Sequence, residues 1–362
     1  MKTYRAAVIG CSRMGAFIDH EVVNYRGIVR PYSHAAGFYA EERTDLVACA
    51  DLRPSVMEEF GRQYDVPKQH QYTDYREMIE RENLDIVGVA TQPEQRAEVV
   101  IYAAEHGIKA IYAEKAMAAS MDEATAMVEA VESNGVAFNL GTNNRWNTGF
   151  DKMKEVIDSG ELGKLQTLII YSNQTLFNKA SHNFDLLLRL NSDRPAEWVS
   201  AFLPKGDDQI DGDVVREDPI GQGTISFENG VMAHALLAPT GGTEAICENG
   251  LVRRLDGREW EIRRSTDVKG WRTCLISEAF PEFEKTSATA NLIKDLVHAL
   301  DRGDATTRGG VRCAYASTEL IFAFMESHLR NGQRISLPLK GSKLRLKRDR
   351  GPAQPRFKPK AA

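Results

Sequence analysis

The sequence predicts an α/β protein: an N-terminal doubly wound parallel sheet, followed by an α+β domain built on a large open mixed or antiparallel sheet. Three observations carry this. Over the first 140 residues, short β-rich runs alternate with stretches of helical periodicity, the pattern of βαβ units. A glycine-rich turn, Gly10-Cys11-Ser12-Arg13-Met14-Gly15, follows the first run directly. Beyond Gly141 the alternation gives way to long strand-like runs joined by turns such as Glu228-Asn229-Gly230 and Glu248-Asn249-Gly250, which read as antiparallel hairpins.

The first strand is 4–9 (YRAAVI), then come 45–50 (DLVACA), 85–90 (DIVGVA), 110–113 (AIYA) and 136–140 (VAFNL). Residues 94–106 and 121–133 have the apolar spacing and length of helices. In the second half a helix at 148–158 ends before Gly160, and strands follow at 165–174, 197–202, 223–227, 231–237, 243–247, 251–255 and 259–263. Helices at 288–301 and 310–330 close the domain, with Asn331-Gly332 as a stop signal. The chain of 362 residues thus divides into 1–141, 142–340 and a basic, Pro-containing tail at 341–362.

The net charge of -5 conceals an asymmetry: residues 341–362 carry eight Lys/Arg against one Asp, so the rest carries -12. An acidic body argues against an anionic polymer as partner. The tail, with one aromatic and no nucleic-acid fold around it, reads as a solvated or subunit-packing arm. No apolar run approaches the roughly 20 residues that cross a bilayer, and the N-terminus MKTYRAAVIG lacks a signal's apolar core. A cytoplasmic location is the expectation. The five cysteines are scattered and never spaced C-x-x-C, which argues against a disulfide framework or structural zinc.

Gly10-x-Ser12-x-x-Gly15 stands where a dinucleotide site needs it, after a strand and at the entry to a helix. The first glycine permits the tight turn, and a helix N-terminus offers unpaired N–H groups and a positive dipole end to a pyrophosphate. Ser12 replaces the usual second glycine, and glycine turns also close α/β units that bind nothing. Asp51, ending the second strand, is placed to accept from the adenosine ribose hydroxyls and to repel the extra phosphate of NADP, so NAD is the expected cofactor. Arg53 softens that exclusion, and the bland reading of Asp51 is a strand-end turn residue. The acid lies 36 residues beyond Gly15, where about 20 is usual. An insertion is therefore expected at 18–33 (IDHEVVNYRGIVRPYS), with Tyr25, Pro31 and Tyr32 suited to packing and Asp19, His20 and Glu21 able to reach a substrate.

In order and spacing, these segments resemble the Gfo/Idh/MocA oxidoreductases over most of the chain. The resemblance is carried by VIGCSRMG with ACAD, by VATQPEQRAEVVIYAAEHGIKAIYAEKAMAASMDEA, by NNRWN with VIDSGELGKL, by SHNFDLLLRL, and by LVHALDRGD through MESHLRNGQRISLPL. It implies a Rossmann domain in which Gly10, Ser12, Arg13, Met14, Gly15, Asp51, Arg53, Thr91, Pro93, Glu114 and Lys115 bind the cofactor. It also implies that Lys115 contacts the reacting hydroxyl, where an ammonium stabilises developing alkoxide character. His182 is the implied proton acceptor, since an imidazole titrates in the right range. Asp185, on the same helix face, would orient substrate hydroxyls. Asn144, Arg145, Asn173 and Asn178 join Lys115, His182 and Asp185 as substrate-binding candidates, with Asn143 and Gln174 beside them.

The chain departs from the family pattern at three places. Ala116 replaces a proline after the Glu-Lys pair, so the loop loses a locked φ and any cis preference. Asn178 stands where the family often has aspartate, and Arg96 where it commonly has a histidine. Trp146 reads as core rather than as a platform for a sugar ring. The histidines show no metal spacing, and no G-x-S-x-G elbow occurs.

The resemblance implies an NAD-dependent dehydrogenase oxidising a secondary hydroxyl of a sugar, cyclitol or sugar derivative. Two alternatives keep the fold: an enzyme that retains NAD and uses transient oxidation to cleave a glycoside, and a non-catalytic NAD-binding regulator, against which the presence of Lys115 and His182 speaks. A small carbohydrate or polyol is the expected partner, with no nucleic acid and no membrane. The family's usual use of the second sheet implies a homodimer or homotetramer.

Overall fold

The computed structural model describes residues 2–25, 27–173, 175–255, 259–268, 272–348, 351 and 354–359. Six strands form the first sheet: β1 (Tyr4–Ile9), β2 (Thr44–Ala50), β3 (Gln71–Tyr72), β4 (Ile86–Val89), β5 (Ala110–Ala113) and β6 (Ala137–Leu140). Their order is β3-β2-β1-β4-β5-β6, and every pairing is parallel. Helices cover both faces of such a sheet, so its strands are continuous apolar runs rather than alternating ones. Accordingly β4, β5 and β6 are buried at every position. The strand order reverses between β1 and β4, and open α/β sheets take ligands outside the carboxyl ends at that point.

The helices of this unit are α1 (His34–Ala40), α2 (Pro54–Tyr64), α3 (Tyr75–Glu82), α4 (Pro93–Glu105) and α5 (Met121–Ser133). Pro54 and Pro93 occupy first helical positions, where the missing N–H is not needed. Ser33, Asp74 and Ser120 accept from the N–H groups of Ala36, Arg76 and Glu123, each satisfying an orphan donor of its helix. Sequence reasoning placed no helix at α2 or α3, although α2 buries Val56, Met57, Phe60 and Tyr64 along one stripe. The glycine turn opens only a five-residue helical segment, Arg13–Phe17, continued by Ile18–His20. From there the insertion runs to α1, closed by the buried Asp19 carboxylate, which accepts from Tyr32 N at 2.9 Å and Ser33 N at 2.8 Å.

The second half begins with α6 (Thr148–Asp158), β7 (Leu165–Tyr171), α7 (Ser181–Leu190), β8 (Ala196–Phe202), α8 (Gly206–Gln209) and the short hairpin β9 (Ile210–Asp211) and β10 (Val214–Val215). It continues through β11 (Gln222–Phe227), β12 (Met232–Leu236), β13 (Gly242–Cys247), β14 (Gly250–Leu255), β15 (Glu259–Val268) and β16 (Arg272–Glu278) to α9 (Ala288–Arg302), α10 (Val311–Leu329) and β17 (Ile335–Ser336). Nine strands form one mixed sheet in the order β16-β15-β14-β13-β7-β12-β11-β8-β17, in which β12 and β7 run parallel. Both Asn-Gly turns close antiparallel hairpins, β11–β12 and β13–β14. The expected strand 165–174 stops at Tyr171, and Gln174 lies outside the described residues. β16 was not anticipated.

The compact units are discontinuous in sequence and differ from the linear division at 141 and 341. One comprises residues 1–146, 286–315 and 346–362, the other 147–285 and 316–345. The physical reason is α9, whose Leu292, Ile293, Leu296 and Val297 enter the same core as Val8, Phe38, Tyr112 and Trp146. Polar ties reinforce it: Asn139 Nδ2 donates to Asp295 Oδ2 at 3.0 Å, and Tyr4 OH to Asp301 Oδ1 at 2.8 Å. Trp146, 1% exposed, is core. Leu292→Ala should therefore lower stability by about 3 kcal/mol through lost burial and a residual cavity. Denaturant unfolding checks this, and a wild-type midpoint would show that α9 does not complete the first unit's core.

Candidate active site

β1 ends in a turn at Gly10, whose φ of 87° lies in the left-handed region that glycine enters without a Cβ penalty. The turn folds tightly on itself: a Cβ on Gly15 would stand 1.8 Å from the Gly10 carbonyl oxygen. The Gly10 N–H donates to Ala50 O at 2.8 Å, fixing the turn against the end of β2. Asp51 follows at once, with a side chain 7% exposed. Its Oδ2 accepts from Cys11 N at 2.9 Å and its Oδ1 from Arg53 N at 3.0 Å and Arg53 Nε at 3.1 Å. Asp51 thus locks the glycine turn to β2. Ser12 and Met14 are half-buried, while Arg13 is exposed and makes a two-point ion pair with Glu21 at 2.8 and 2.7 Å. Because so few peptide dipoles align in Arg13–Phe17, the electrostatic pull expected of a long helix is small here.

At the end of β4, Thr91 leads into Pro93 at the start of α4. The Thr91 hydroxyl is buried with no hydrogen-bond partner among the described residues. A buried hydroxyl left unsatisfied is costly, and this one fits a site that a ligand completes. Arg96, 2% exposed, donates to the carbonyls of Thr91 and Ala116, tying the loops after β4 and β5 together. Burial lowers its guanidinium to about 10. The Lys115–Ala116 peptide is cis.

Glu114 ends β5 and is 4% exposed. Burial would raise its pKa, but the hydrogen bond from His34 Nε2 at 3.3 Å and the charges of Lys115 and Arg96 outweigh it and hold the carboxyl at about 2. His34 is fully buried and stacks on Tyr112 with centroids 3.6 Å apart. Burial lowers its pKa below the ordinary value, so at neutral pH it meets Glu114 as a neutral donor and not as an ion-pair partner. Tyr32 is raised to about 12 by burial and by Glu114, against the hydrogen bond it shares with Asn143. Lys115, half-buried, therefore stands beside a permanently ionised carboxylate.

In the other unit, Leu176–Ala180 forms a helical turn whose leading N–H groups are capped by Asp218: Phe177 N donates to Oδ1 at 2.8 Å and Asn178 N to Oδ2 at 2.9 Å. It runs straight into α7, where His182 is half-buried and Asp185 buried three residues on. Residues three apart on a helix share a face. Asn178 and Asn173 are exposed, and the Asn173 carbonyl accepts from Lys179 Nζ at 3.1 Å.

Residues 4–142 match the model of the Gfo/Idh/MocA oxidoreductase family, NAD-binding Rossmann fold. Over those residues the chain is similar to the NAD-binding Rossmann part of this family. It is 26% identical over 210 residues to the uncharacterized oxidoreductase YrbE of Bacillus subtilis, covering 52% of this chain and 58% of that protein. It is 28% identical over 168 residues to the myo-inositol 2-dehydrogenase of Thermotoga maritima, covering 46% and 45%. The chain spans about half the length of these curated relatives. The crystal structure of an inositol dehydrogenase homolog from Azotobacter vinelandii, complexed with NADH and myo-inositol, shares the fold: TM-score 0.71 at 15% identity, over 92% of this chain and 98% of that one.

The expected cofactor residues lie along one sheet edge: Gly10 to Gly15 after β1, Asp51 and Arg53 after β2, Thr91 and Pro93 after β4, Glu114 and Lys115 after β5. Asn143 and Asn144 are half-buried just beyond β6. Arg145 is 1% exposed, donating to Arg308 O at 3.1 Å while Arg308 donates back to the Arg145 carbonyl. The insertion's polar residues are likewise engaged within the fold: Asp19 in the loop clamp, Glu21 on Arg13, and His20 against the Arg356 carbonyl at 3.0 Å. His34 escaped sequence reasoning because no motif links it to Glu114, 80 residues away.

The state of His34 has a measurable signature. Its folded pKa lies below the ordinary 6.5, so its contribution to stability is present above that value and is lost as pH falls through it toward the lower folded value. Glu114, lowered from 4.5 to about 2, keeps its contribution until the pH falls below 4.5. Between about pH 7.5 and 5.5 the melting midpoint should therefore fall less steeply in His34→Gln than in the wild type, by up to about 1.4 kcal/mol per pH unit of stability. Thermal unfolding across that range checks this, and parallel curves would mean that His34 is not held neutral.

Proposed function

We propose that this protein is an NAD-dependent dehydrogenase of the Gfo/Idh/MocA family that oxidises a secondary hydroxyl of a sugar, cyclitol or related polyol. The observation that carries the reading is Lys115 beside the buried, ionised Glu114 at the carboxyl edge of a parallel sheet whose glycine turn is locked by Asp51. The names of two relatives support the polyol: one is a myo-inositol 2-dehydrogenase, and the other was solved with NADH and myo-inositol.

Gly10, Ser12, Arg13, Met14 and Gly15 would hold the dinucleotide's phosphates, Asp51 and Arg53 its adenosine ribose, and Thr91, Pro93, Glu114 and Lys115 the remainder. NAD, when bound, supplies the oxidant that takes the carbon-bound hydrogen with its electron pair. The Lys115 ammonium stabilises the substrate oxygen as it gains alkoxide character. Glu114, held ionised, places a negative charge beside Lys115. His182 accepts the hydroxyl proton, a role its imidazole suits near neutral pH. Asp185 orients a substrate hydroxyl, with Asn144, Asn173 and Asn178 as further polar contacts.

Lys115→Met and His182→Ala should each lower turnover about 10²- to 10³-fold, the range for a lost charge stabiliser or general base, and NAD binding should persist in His182→Ala. NADH formation across sugars, inositols and glycosides gives the readout. Full activity in both variants would sink the assignment.

A further inference from the structure

Residues 346–348 and 354–357 of the C-terminal segment, which the function above leaves unused, meet the carboxyl edge of the parallel sheet. Leu346 N donates to Ala119 O at 2.8 Å, just beyond the Lys115 loop. Arg348 then closes on Glu94 with two bonds, Nε to Oε1 at 2.8 Å and Nη2 to Oε2 at 3.0 Å, and reaches Gln92 Oε1 at 3.2 Å. Burial raises the Glu94 carboxyl and Arg348 more than reverses this, so the pair is a charged clamp. Farther on, Phe357 packs edge-on against Phe17 with centroids 5.0 Å apart and joins the core of the first unit. Pro355 is buried, and the Arg356 carbonyl lies 3.0 Å from His20 Nδ1. These anchors fall on the loops after β5, β4 and β1.

Those are three of the loops assigned to NAD above, and the inference rests on that assignment. Where the segment crosses the glycine-turn helix, a cleft of about 420 Å³ is lined by Arg13, Glu21, Gln354, Pro355 and Arg356. Two guanidinium groups against one carboxylate leave it net positive. A long helix behind a glycine turn brings a fractional positive charge to a pyrophosphate, but here that helix is only the five residues Arg13–Phe17. The cleft supplies from side chains what the shortened helix cannot.

We propose that residues 346–348 and 354–357 form the outer wall of the dinucleotide site: Arg356 joins Arg13 on the pyrophosphate, and the cofactor enters and leaves only when Phe357 lifts from Phe17. The test uses the full-length protein loaded with NADH, with release followed by fluorescence after mixing with excess NAD, and with affinity measured at low and moderate salt. Arg356→Ala should weaken NADH about tenfold, the scale of one charge-assisted hydrogen bond, and flatten the salt dependence. Phe357→Ala should speed both association and release at least about tenfold, because removing a gate acts on both directions. Arg348→Ala should also speed both, and Phe357→Leu, which keeps an apolar anchor, should stay near wild type. Melting midpoints confirm folding, and Arg348→Ala carries the rate test if Phe357→Ala fails to fold. Wild-type exchange rates in the anchor variants with wild-type affinity in Arg356→Ala would overturn the wall. A wild-type protein that binds no NADH overturns the cofactor assignment instead.

Discussion

A carboxylate that stays ionised out of water must be surrounded by groups that repay its lost hydration, and Glu114 gathers such groups from across the first unit. His34 comes from the helix that follows the insertion, Arg96 from α4, and Lys115 from the loop after β5. The Glu114 N–H donates to Val89 O at 2.9 Å, joining it to β4, and a Cβ on Gly141, just past β6, would come within 3.0 Å of its Oε1. Removing one partner of a buried charge leaves the other uncompensated, at about 3 to 5 kcal/mol. The loops of the sheet edge are therefore set by one charge, and Lys115 acquires its place as a consequence.

The parallel sheet was legible because its signal is local. A strand buried on both faces reads as an apolar run, and 110–113 and 121–133 were bounded correctly to the residue. The glycine turn was legible for the same reason, since Gly10 and Gly15 are close in sequence as well as in space. Asp51 was legible only in part: its place after β2 follows from the pattern, but its bond to the Cys11 N–H belongs to the folded turn. The turn-residue and ribose-binding readings of Asp51 are compatible, because a carboxylate fixed by backbone donors is also one whose position is reproducible.

What the sequence hid depends on chain returning from a distance. α9 has an ordinary amphipathic pattern that says nothing about which sheet it covers, and only packing shows that it completes the core around Trp146. Arg145 was read as a polar residue of the crossover, and its bonds to and from Arg308, 163 residues along the chain, carry no sequence signal. His34 sits beyond an insertion that carries no periodicity. In each case the partner lies far along the chain, beyond the reach of any spacing rule.

The C-terminal residues show how composition can mislead about role. Eight basic residues in 22 suggest a solvated or subunit-packing arm, but charge describes only what most of those side chains share. The exceptions decide the outcome: Phe357 supplies an apolar anchor, Pro355 is buried, and Arg348 meets an ionised Glu94 in a partly dry setting where a two-point ion pair is worth far more than at the surface. Such a wall would slow cofactor exchange in proportion to the anchors it must break. Slow exchange limits an enzyme that must replace its dinucleotide every cycle, but it does not limit one that reoxidises the bound cofactor within the same turnover. The strength of Phe357 on Phe17 and of Arg348 on Glu94 therefore bears on the choice between a freely exchanging dehydrogenase and chemistry built on a retained NAD.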